Sequence, residues 1–377
     1  MNSRNLLQVF GPTLVILILI GCSGASAEPA ATPVPPTLTP VPPTATPVPP
    51  TASPTPSPSP TPRSIPDARG YHHMVYDAES DRIILFGGSR GGRPDLNDTW
   101  AYDFNTSTWE KMMPTQSPDT FEGPMTYDAQ SDRVILFQGS SIDFTPISET
   151  WAYDFNTDTW TDMEPAEGPS GLIGPRMVYD AESDRVILFG GIDAANISTG
   201  LKYLDDTWAY DWDSNSWTKM EPELVPLGRN YHAMAYDSDS DRVIMWGGHT
   251  RPHKASVWSY DYNTDTWEEL ETSGAPEVGN YSSMVYVPET GKMVLFGGVD
   301  GDEVAHNDTW AYNYENNTWH KDYKTPVDAR GWQAMTYITG ANRIIIFGGG
   351  PDRNHYTDEL WVYDPTARTW ESMLSDQ

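Results

Sequence analysis

The chain has 377 residues, with 53 acidic against 23 basic side chains and a formal net charge of −30. This excess of negative charge excludes a nucleic-acid-binding surface, because phosphates require basic side chains opposite them. The single cysteine, Cys22, excludes any disulfide within the chain.

Residues 1–22 are typical of an export signal. Arg4 supplies the positive start, an apolar run covers residues 14–20, and Leu-Ile-Gly-Cys ends the segment at Cys22. Seven apolar residues are too few to cross a bilayer core of about 30 Å as a helix. The tetrapeptide resembles a bacterial lipobox, whose cysteine is lipidated; the alternative is an ordinary signal with an incidental cysteine. We expect an exported protein, anchored to the bacterial cell membrane by a lipid on Cys22 and facing outward.

Residues 23–65 are rich in Pro, Thr and Ser. The motif Thr-Pro-Val-Pro-Pro-Thr begins at Thr32, Thr39 and Thr46. Proline removes backbone donors and favours extended geometry, so no core forms from such a composition. We predict a disordered stalk with a reach on the order of 100 Å. A stalk is favoured over a ligand for proline-binding modules.

The rest of the chain repeats one pattern six times, at a spacing near fifty residues. Each copy has a tyrosine, an apolar run closed by glycine, and two tryptophans nine residues apart. The first tryptophans of the pairs are Trp100, Trp151, Trp208, Trp258, Trp310 and Trp361. A repeat of this length indicates an architecture of stacked, similar units.

Each unit is predicted to form four short strands. The apolar run, such as residues 83–86, fits a strand buried on both faces, and the segment around Trp100 and Tyr102 alternates between two faces. One such sheet cannot bury its own faces, whereas six sheets around an axis can. We therefore predict an all-β fold, a six-bladed β-propeller of four-stranded antiparallel blades. The blades cover approximately residues 66–115, 116–166, 167–223, 224–272, 273–324 and 325–377.

The units resemble Kelch repeats, and the resemblance covers all six copies. It implies a β-propeller and assigns structural roles to the paired glycines and tryptophans: Gly87, Gly88, Trp100, Trp109, Gly190, Gly191, Trp208, Trp217, Gly348 and Gly349. Two departures are expected to alter the backbone locally. Unit two has Gln138 in place of the first glycine, and units five and six replace the Asp-rich first turn with segments 288–291 and 339–342.

Most of the charge belongs to the repeats, which hold 52 acidic and 21 basic residues, since only Arg4, Glu28 and Arg63 lie outside them. Many of the acids lie in the first turns, as in Asp77, Glu79 and Asp81. Because the first and third turns of a blade share one face, we predict a strongly acidic face made of solvated turns. A calcium role is not indicated, because the turns lack the Asp-x-Asp-x-Asp-Gly loop.

The opposite face is built from the second turns and the connections between blades, where repeat insertions usually collect. Positions before the recurring tyrosine supply the candidate ligand-binding residues: Arg69, Tyr71, His72, Arg229, Tyr231, His232, Tyr281, Arg330 and Trp332. They belong to units four, five, six and one, so one channel mouth is predicted to have an aromatic-basic side and a bare side. Second-turn residues such as Arg90, Arg93, His253, Lys254 and Arg353 extend the arc.

Two interpretations of this arc remain open. The arginines resemble the ordinary repeat pattern, in which they bond neighbouring loops. Alternatively, aromatic rings and guanidinium groups suit a sugar face or a carboxylate. The methionine two residues before each recurring tyrosine, in contrast, is predicted to be core filling.

The favoured function is a binding module at the cell surface for a glycan or protein partner, with a monomeric propeller. No nucleophile, metal or cofactor motif is present, so no cofactor is expected. The copper-radical chemistry of galactose oxidase, a Kelch-like enzyme, is excluded because residues 23–377 contain no cysteine. Two alternatives stay open: a sugar-processing enzyme resembling sialic acid mutarotase, and an envelope scaffold. A closed cavity with an arginine and a carboxylate would favour the enzyme, and an apolar patch on the blade rim would favour the scaffold.

Ring closure is predicted from the order of the repeats. Unit one begins with its own first strand, and unit six ends with its own fourth strand at Trp370. We therefore expect six blades of unmixed origin, sealed by packing between the first and the last.

Overall fold

A computed structural model of the chain describes residues 65–91, 96–119, 122–141, 145–198, 200–251, 255–277, 279–322 and 325–373. The predicted signal, the lipidation site Cys22, the stalk up to residue 64, and Arg93, His253 and Lys254 lie outside these ranges. Within the described ranges, no helix has the length and apolar character needed to cross a membrane.

The described chain is almost entirely β-structure. The strands of the first three blades are β1 His73–Asp77, β2 Arg82–Phe86, β3 Thr99–Asp103, β4 Thr108–Lys111, β5 Met125–Asp128, β6 Arg133–Ser140, β7 Pro146–Asp154, β8 Thr159–Asp162, β9 Leu172–Ile173, β10 Arg176–Asp180, β11 Arg185–Phe189, β12 Ile192–Asp193, β13 Thr207–Asp211 and β14 Ser216–Lys219. Those of the other three are β15 Arg229–Asn230, β16 Ala233–Asp237, β17 Arg242–Trp246, β18 His249–Thr250, β19 Val257–Asp261, β20 Thr266–Leu270, β21 Ser283–Val287, β22 Lys292–Phe296, β23 Thr309–Asn313, β24 Thr318–Asp322, β25 Ala334–Ile338, β26 Arg343–Phe347, β27 Leu360–Asp364 and β28 Thr369–Ser372.

These strands form six four-stranded antiparallel sheets, which confirms the predicted six-bladed propeller. In the first blade, β1 pairs with β2 from His73 opposite Phe86 to Asp77 opposite Arg82, and the other blades repeat this register. β2 is buried along its apolar length, as an unbroken apolar run requires between two neighbouring sheets. The short strands β9, β12, β15 and β18 form two small sheets outside the blades.

The hydrophobic core lies between the blades. Each of six apolar clusters joins two adjacent blades and contains one of the methionines that precede the recurring tyrosines. These are Met74, Met125, Met177, Met234, Met284 and Met335, all of them buried. Their flexible side chains fill the space where the blades taper toward the axis.

The closure of the ring is as predicted. β28 pairs with β27 of its own blade, so every four-stranded sheet is a continuous chain segment. The first and last blades share a core cluster that contains Leu85 and Trp100 from one and Phe347 and Leu360 from the other. The ring is therefore closed by hydrophobic packing and by hydrogen bonds between the first and last blades.

A hydrogen bond from the second tryptophan to the preceding blade distinguishes the junctions. Trp160 Nε1 donates to Thr99 Oγ1 at 2.9 Å, and Trp217, Trp267 and Trp370 make the same bond at three other junctions. At the closing junction the threonine position is held by Leu360, and the indole N–H of Trp109 has no partner. The junction between blades one and six therefore lacks a bond that four others have.

The acidic residues of the first turns are engaged in the turn itself. Asp77 Oδ1 accepts from the N–H groups of Glu79 and Ser80, and the equivalent Asp of the next three blades does the same. Asn105 of the third turn donates to Asp81 of the first at 2.7 Å, so these turns share a face. We call it the acidic face.

The departures from the repeat change the backbone in the second and fifth blades, whereas segment 339–342 of the sixth blade keeps the ordinary turn, with a φ of 53° at Asn342 against 54° at Asp81. In the second blade, β6 continues past Phe137 through Gln138 and Gly139 and pairs with a longer β7 through a bulge. In the fifth blade, a 3₁₀ turn over Pro288–Thr290 replaces the Asp-based turn and ends at Gly291 with a φ of 60°.

The paired glycines mark places where neighbouring blades approach closely. Gly190 has a φ of 73°, and a Cβ there would lie 2.4 Å from the carbonyl oxygen of Arg229 in the next blade. Gly291 has a similar φ with nothing within 4 Å of a Cβ. We therefore expect Gly190→Ala to lower the free energy of unfolding by about 2–4 kcal/mol, and Gly291→Ala by about 1 kcal/mol, since only the former adds a backbone clash. Urea denaturation measures both, and equal losses would contradict the close-approach explanation.

Candidate functional site

Four of the predicted ligand residues converge on the propeller axis. Tyr71, Tyr231, Tyr281 and Trp332 occupy the same repeat position in four blades, and all four have positive φ values of 51° to 64°. Gly174 holds this position in the third blade with a φ of 65°. The left-handed backbone turns each ring toward the axis, a conformation that is costly for residues other than glycine.

The rings pack against one another across the channel. The ring centroids of Tyr231 and Tyr281 lie 4.3 Å apart, those of Tyr281 and Trp332 4.9 Å, and those of Tyr71 and Tyr231 6.1 Å, although Tyr71 and Tyr231 come from opposite blades. The hydroxyl of Tyr231 donates to Glu122 Oε1 at 2.6 Å. We call these four aromatic residues the aromatic plug.

The plug fills the mouth for which the sequence predicted an aromatic-basic side and a bare side. Its four rings come from blades one, four, five and six, which are the blades of the predicted aromatic side. On the bare side, the space at Gly174 is filled from the next blade, because a Cβ on Gly174 would lie 2.6 Å from the ring of Tyr231. Side chains of unequal size therefore complement one another around the ring.

Backbone hydrogen bonds link the plug residues in sequence. The N–H of Tyr231 donates to Gly174, that of Tyr281 to Tyr231, that of Trp332 to Tyr281 and that of Tyr71 to Trp332, at 2.8–3.3 Å. The last of these bonds crosses the closing junction. The plug therefore ties consecutive blades together at the axis.

The three predicted arginines are buried away from the plug, each inside its own blade. Arg69 donates to Asp98 through two bonds of 2.6 and 3.1 Å, and also to the carbonyl oxygen of Gly87 at 2.9 Å. Arg330 makes the equivalent contacts with Glu359 and Gly348.

Arg229 differs from the other two arginines in the residue at the carboxylate position. It donates to the carbonyl oxygen of Gly247 at 2.7 Å, but Ser256 occupies the repeat position that Asp98 and Glu359 occupy in the other two blades. Burial lowers the pKa of Arg229 to about 10, opposed by the attraction of Glu269. All three arginines thus bond to nearby loops, as expected if they belong to the ordinary repeat pattern.

The two predicted histidines lie in the core between blades. The ring of His72 packs edge-on against Phe347 of the last blade, and that of His232 against Phe189 of the third. Burial, followed by a nearby arginine charge, lowers the pKa of both histidines well below the usual range. Except for Tyr71, every predicted ligand residue is buried, and the role of all nine in binding a ligand stays a prediction.

A cavity of about 130 Å³ lies on the axis beneath the plug, and we call it the axial chamber. The methionines form its other boundary, and Glu122, His73 and Arg176 line it. Burial, and then the charge of Arg176, lower the pKa of His73 to about 3. Sequence reasoning did not select these three residues, because their positions are occupied by unrelated residue types in the other repeats.

The acidic face has its own opening on the axis, with a cavity of about 380 Å³. It is lined by the recurring tyrosines Tyr76, Tyr127, Tyr179, Tyr236, Tyr286 and Tyr337. Tyr76 donates to Asp81 at 2.9 Å, and burial raises its pKa to about 12. Among the described residues, no three His, Cys, Asp or Glu side chains are grouped to hold a metal ion.

The second turns and the connections between blades form the loop face, opposite the acidic face. Here Arg353 lies over the ring of Tyr281, 5.7 Å from its centroid, and pairs with Glu303 at 3.0 Å. Among the described residues, the exposed large hydrophobic residues of this face are Leu201, Leu224, Val225, Leu227 and Val304, whereas the N–H of Met113 donates to Asp158 in a third turn of the acidic face.

Comparison with known proteins agrees with this geometry. The model of the KLHDC2/KLHL20/DRC7 Kelch-repeats domain matches residues 51–224 and 223–377, which is more than half of the chain. The chain belongs to the Kelch-repeat family. Kelch propellers generally serve as protein-interaction modules.

Individual relatives match this Kelch chain over shorter stretches. An F-box/kelch-repeat protein of Arabidopsis thaliana is 22% identical over 49% of this chain and 44% of its own length. Kelch domain-containing protein 10 of Xenopus tropicalis is 27% identical over 41% and 37%. N-(sulfonatooxy)prop-2-enimidothioate sulfolyase of Thlaspi arvense is 30% identical over 31% and 32%. The chain thus spans less than half the length of each relative.

Proposed function

We propose that this Kelch propeller is an outward-facing binding module of a bacterial cell, anchored through a lipid on Cys22, and that its loop face binds a protein partner. We infer the partner surface from the positions of the exposed large hydrophobic residues. In the described chain, Leu201 and Val304 lie in second turns, and Leu224, Val225 and Leu227 lie in one connection between blades. Leu201 lies in the adjacent second turn. The backbone N–H of Arg229, at the end of the connection, donates to the carbonyl oxygen of Leu204 in that turn at 3.2 Å.

An exposed apolar patch favours a protein over a glycan. Aliphatic side chains gain by removal from water, whereas sugar recognition uses polar groups around an aromatic face. The aromatic rings that would suit a sugar are packed in the plug.

The two-residue variant Leu224→Asp with Leu227→Asp tests this surface. We expect it to lose at least tenfold in affinity for the partner captured by crosslinking on intact cells, because two charges replace exposed apolar contacts. Thr157→Asp, on an exposed third turn of the acidic face, is the control. Unchanged capture by the double variant would refute the assignment, and capture of a saccharide by the wild type alone would favour the glycan.

A second candidate, a sugar-processing enzyme, is favoured by one observation. Arg176 and Glu122 share the axial chamber, which is the combination expected of a proton-transfer site. A chamber of about 130 Å³ is nevertheless smaller than the few hundred Å³ typical of ligand sites. A hexose would therefore enter only if the plug opened, and NMR of anomer exchange tests for catalysis directly.

A further inference from the structure

The axial chamber contains an arginine that has no acidic partner. Arg176 begins β10, and its guanidinium donates one bond, to the carbonyl oxygen of Pro175 at 3.0 Å. Within the described part of the chain it forms no ion pair. Burial lowers its pKa, opposed by the charge of Glu122 and by nearby tyrosines. A partly buried guanidinium with one hydrogen bond keeps most of its donors available.

The guanidinium points toward the axis. It lies 5.8 Å from the ring centroid of Tyr231 in the next blade. It also acts electrostatically on His73 of the first blade and is influenced by Glu122 of the second and Tyr281 of the fifth. Because Arg176 also lines the chamber, its guanidinium is part of the chamber wall.

Two further donors in the chamber wall have no partner. The indole Nε1 of Trp332 and the hydroxyl of Ser282 are buried without a hydrogen bond, and both residues line the chamber. Trp332 is 5% exposed and Ser282 3%. Buried donors left unsatisfied are costly, so native proteins usually supply them with water or a ligand. Together with Arg176 they make a wall rich in donors.

This donor set matches one class of ligand. A guanidinium with additional N–H and O–H donors recognises a carboxylate, because both carboxylate oxygens accept several bonds. A chamber of about 130 Å³ is close to the roughly 150 Å³ cavity that holds one benzene molecule, so the ligand has about six non-hydrogen atoms or fewer. We propose that the axial chamber is a binding site for a small carboxylate anion held by Arg176. The site is separate from the partner surface on the loop face.

The other charges in the chamber set the strength of this binding. Glu122 is negative and accepts the hydroxyl of Tyr231, so it opposes a second carboxylate. His73 is neutral at neutral pH and adds no positive charge. We therefore expect dissociation constants on the order of 1 mM.

Acetate and acetamide are the probes, because they have the same shape and differ in charge. Sodium acetate should raise the unfolding midpoint of the full-length protein saturably, beyond the effect of sodium chloride at equal ionic strength, and acetamide should not. Arg176→Met should abolish the acetate-specific rise. Arg185→Met, in the same blade but paired at the surface with Asp211 at 3.2 Å, should retain it. Equal effects of acetate and chloride on the wild type would overturn the proposal.

A second measurement does not depend on the folding of the arginine variant. In the NMR spectrum of the wild type, the indole N–H signal that is missing in Trp332→Phe should move saturably with acetate. The signals of tryptophans remote from the chamber, such as Trp160, should stay fixed. An unmoved Trp332 signal, or the same movement with acetamide, would show that the chamber holds only water.

Discussion

Replacement of Arg69 by methionine should lower the free energy of unfolding by about 3–5 kcal/mol. Methionine keeps much of the apolar stem but leaves the carboxylate of Asp98 and the carbonyl oxygen of Gly87 without the guanidinium that bonds both. Breaking a buried ion pair from one side is costly because the remaining charge is uncompensated. Urea denaturation followed by tryptophan fluorescence measures the loss.

Arg82→Met is the matched control for this prediction. Arg82 also pairs with an aspartate, Asp103, at 3.0 Å, but its side chain is 30% exposed. Exposed ion pairs contribute little, so we expect a loss below about 1 kcal/mol. If Arg69→Met unfolds like the wild type, the structural role fails, and the ligand-binding interpretation of the three buried arginines gains support.

Replacement of Trp160 by alanine should cost about 3–5 kcal/mol. The side chain is fully buried, packs 4.8 Å from the ring of Phe86 in the first blade, and donates to Thr99. The substitution opens a cavity between two blades and leaves the threonine hydroxyl without its donor. Calorimetry and denaturant unfolding should both report the loss.

Trp109→Ala places the same change at the closing junction. Trp109 is half-buried, packs on Phe347 and has no bond from its indole N–H. We expect it to cost about 1–3 kcal/mol, which is clearly less than Trp160→Ala. A larger loss for Trp109 would mean that closure contributes more to stability than the other junctions do.

Most of the fold could be predicted because each repeat carries complete local information. The apolar run, the paired glycines and the two tryptophans recur in every blade or nearly so, and six copies average out single departures. Even the change at Gln138 was visible as a missing glycine. The exact course of β6 past Phe137 was not, since it depends on pairing with β7.

The axial site was harder to predict because it depends on backbone conformation and on contacts across the ring. Gly174 stands where other repeats have Tyr71 or Trp332, and this glycine was a signal of positive φ at the position. Arg176 and Glu122 occur once each at their repeat positions, so no periodic pattern marked them. Their proximity follows only from the closed ring.

Because each blade is one continuous chain segment, the same fold can form from a chain that begins at a different connection between blades. The closing junction carries the same type of axial bond, from Tyr71 to Trp332, as the junctions inside the chain. Circular permutants that join residue 373 to residue 65 through a flexible peptide, and begin instead in any other connection between blades, should therefore reach the same structure. The loop face could then be attached to a support or a second protein at six different points of the ring.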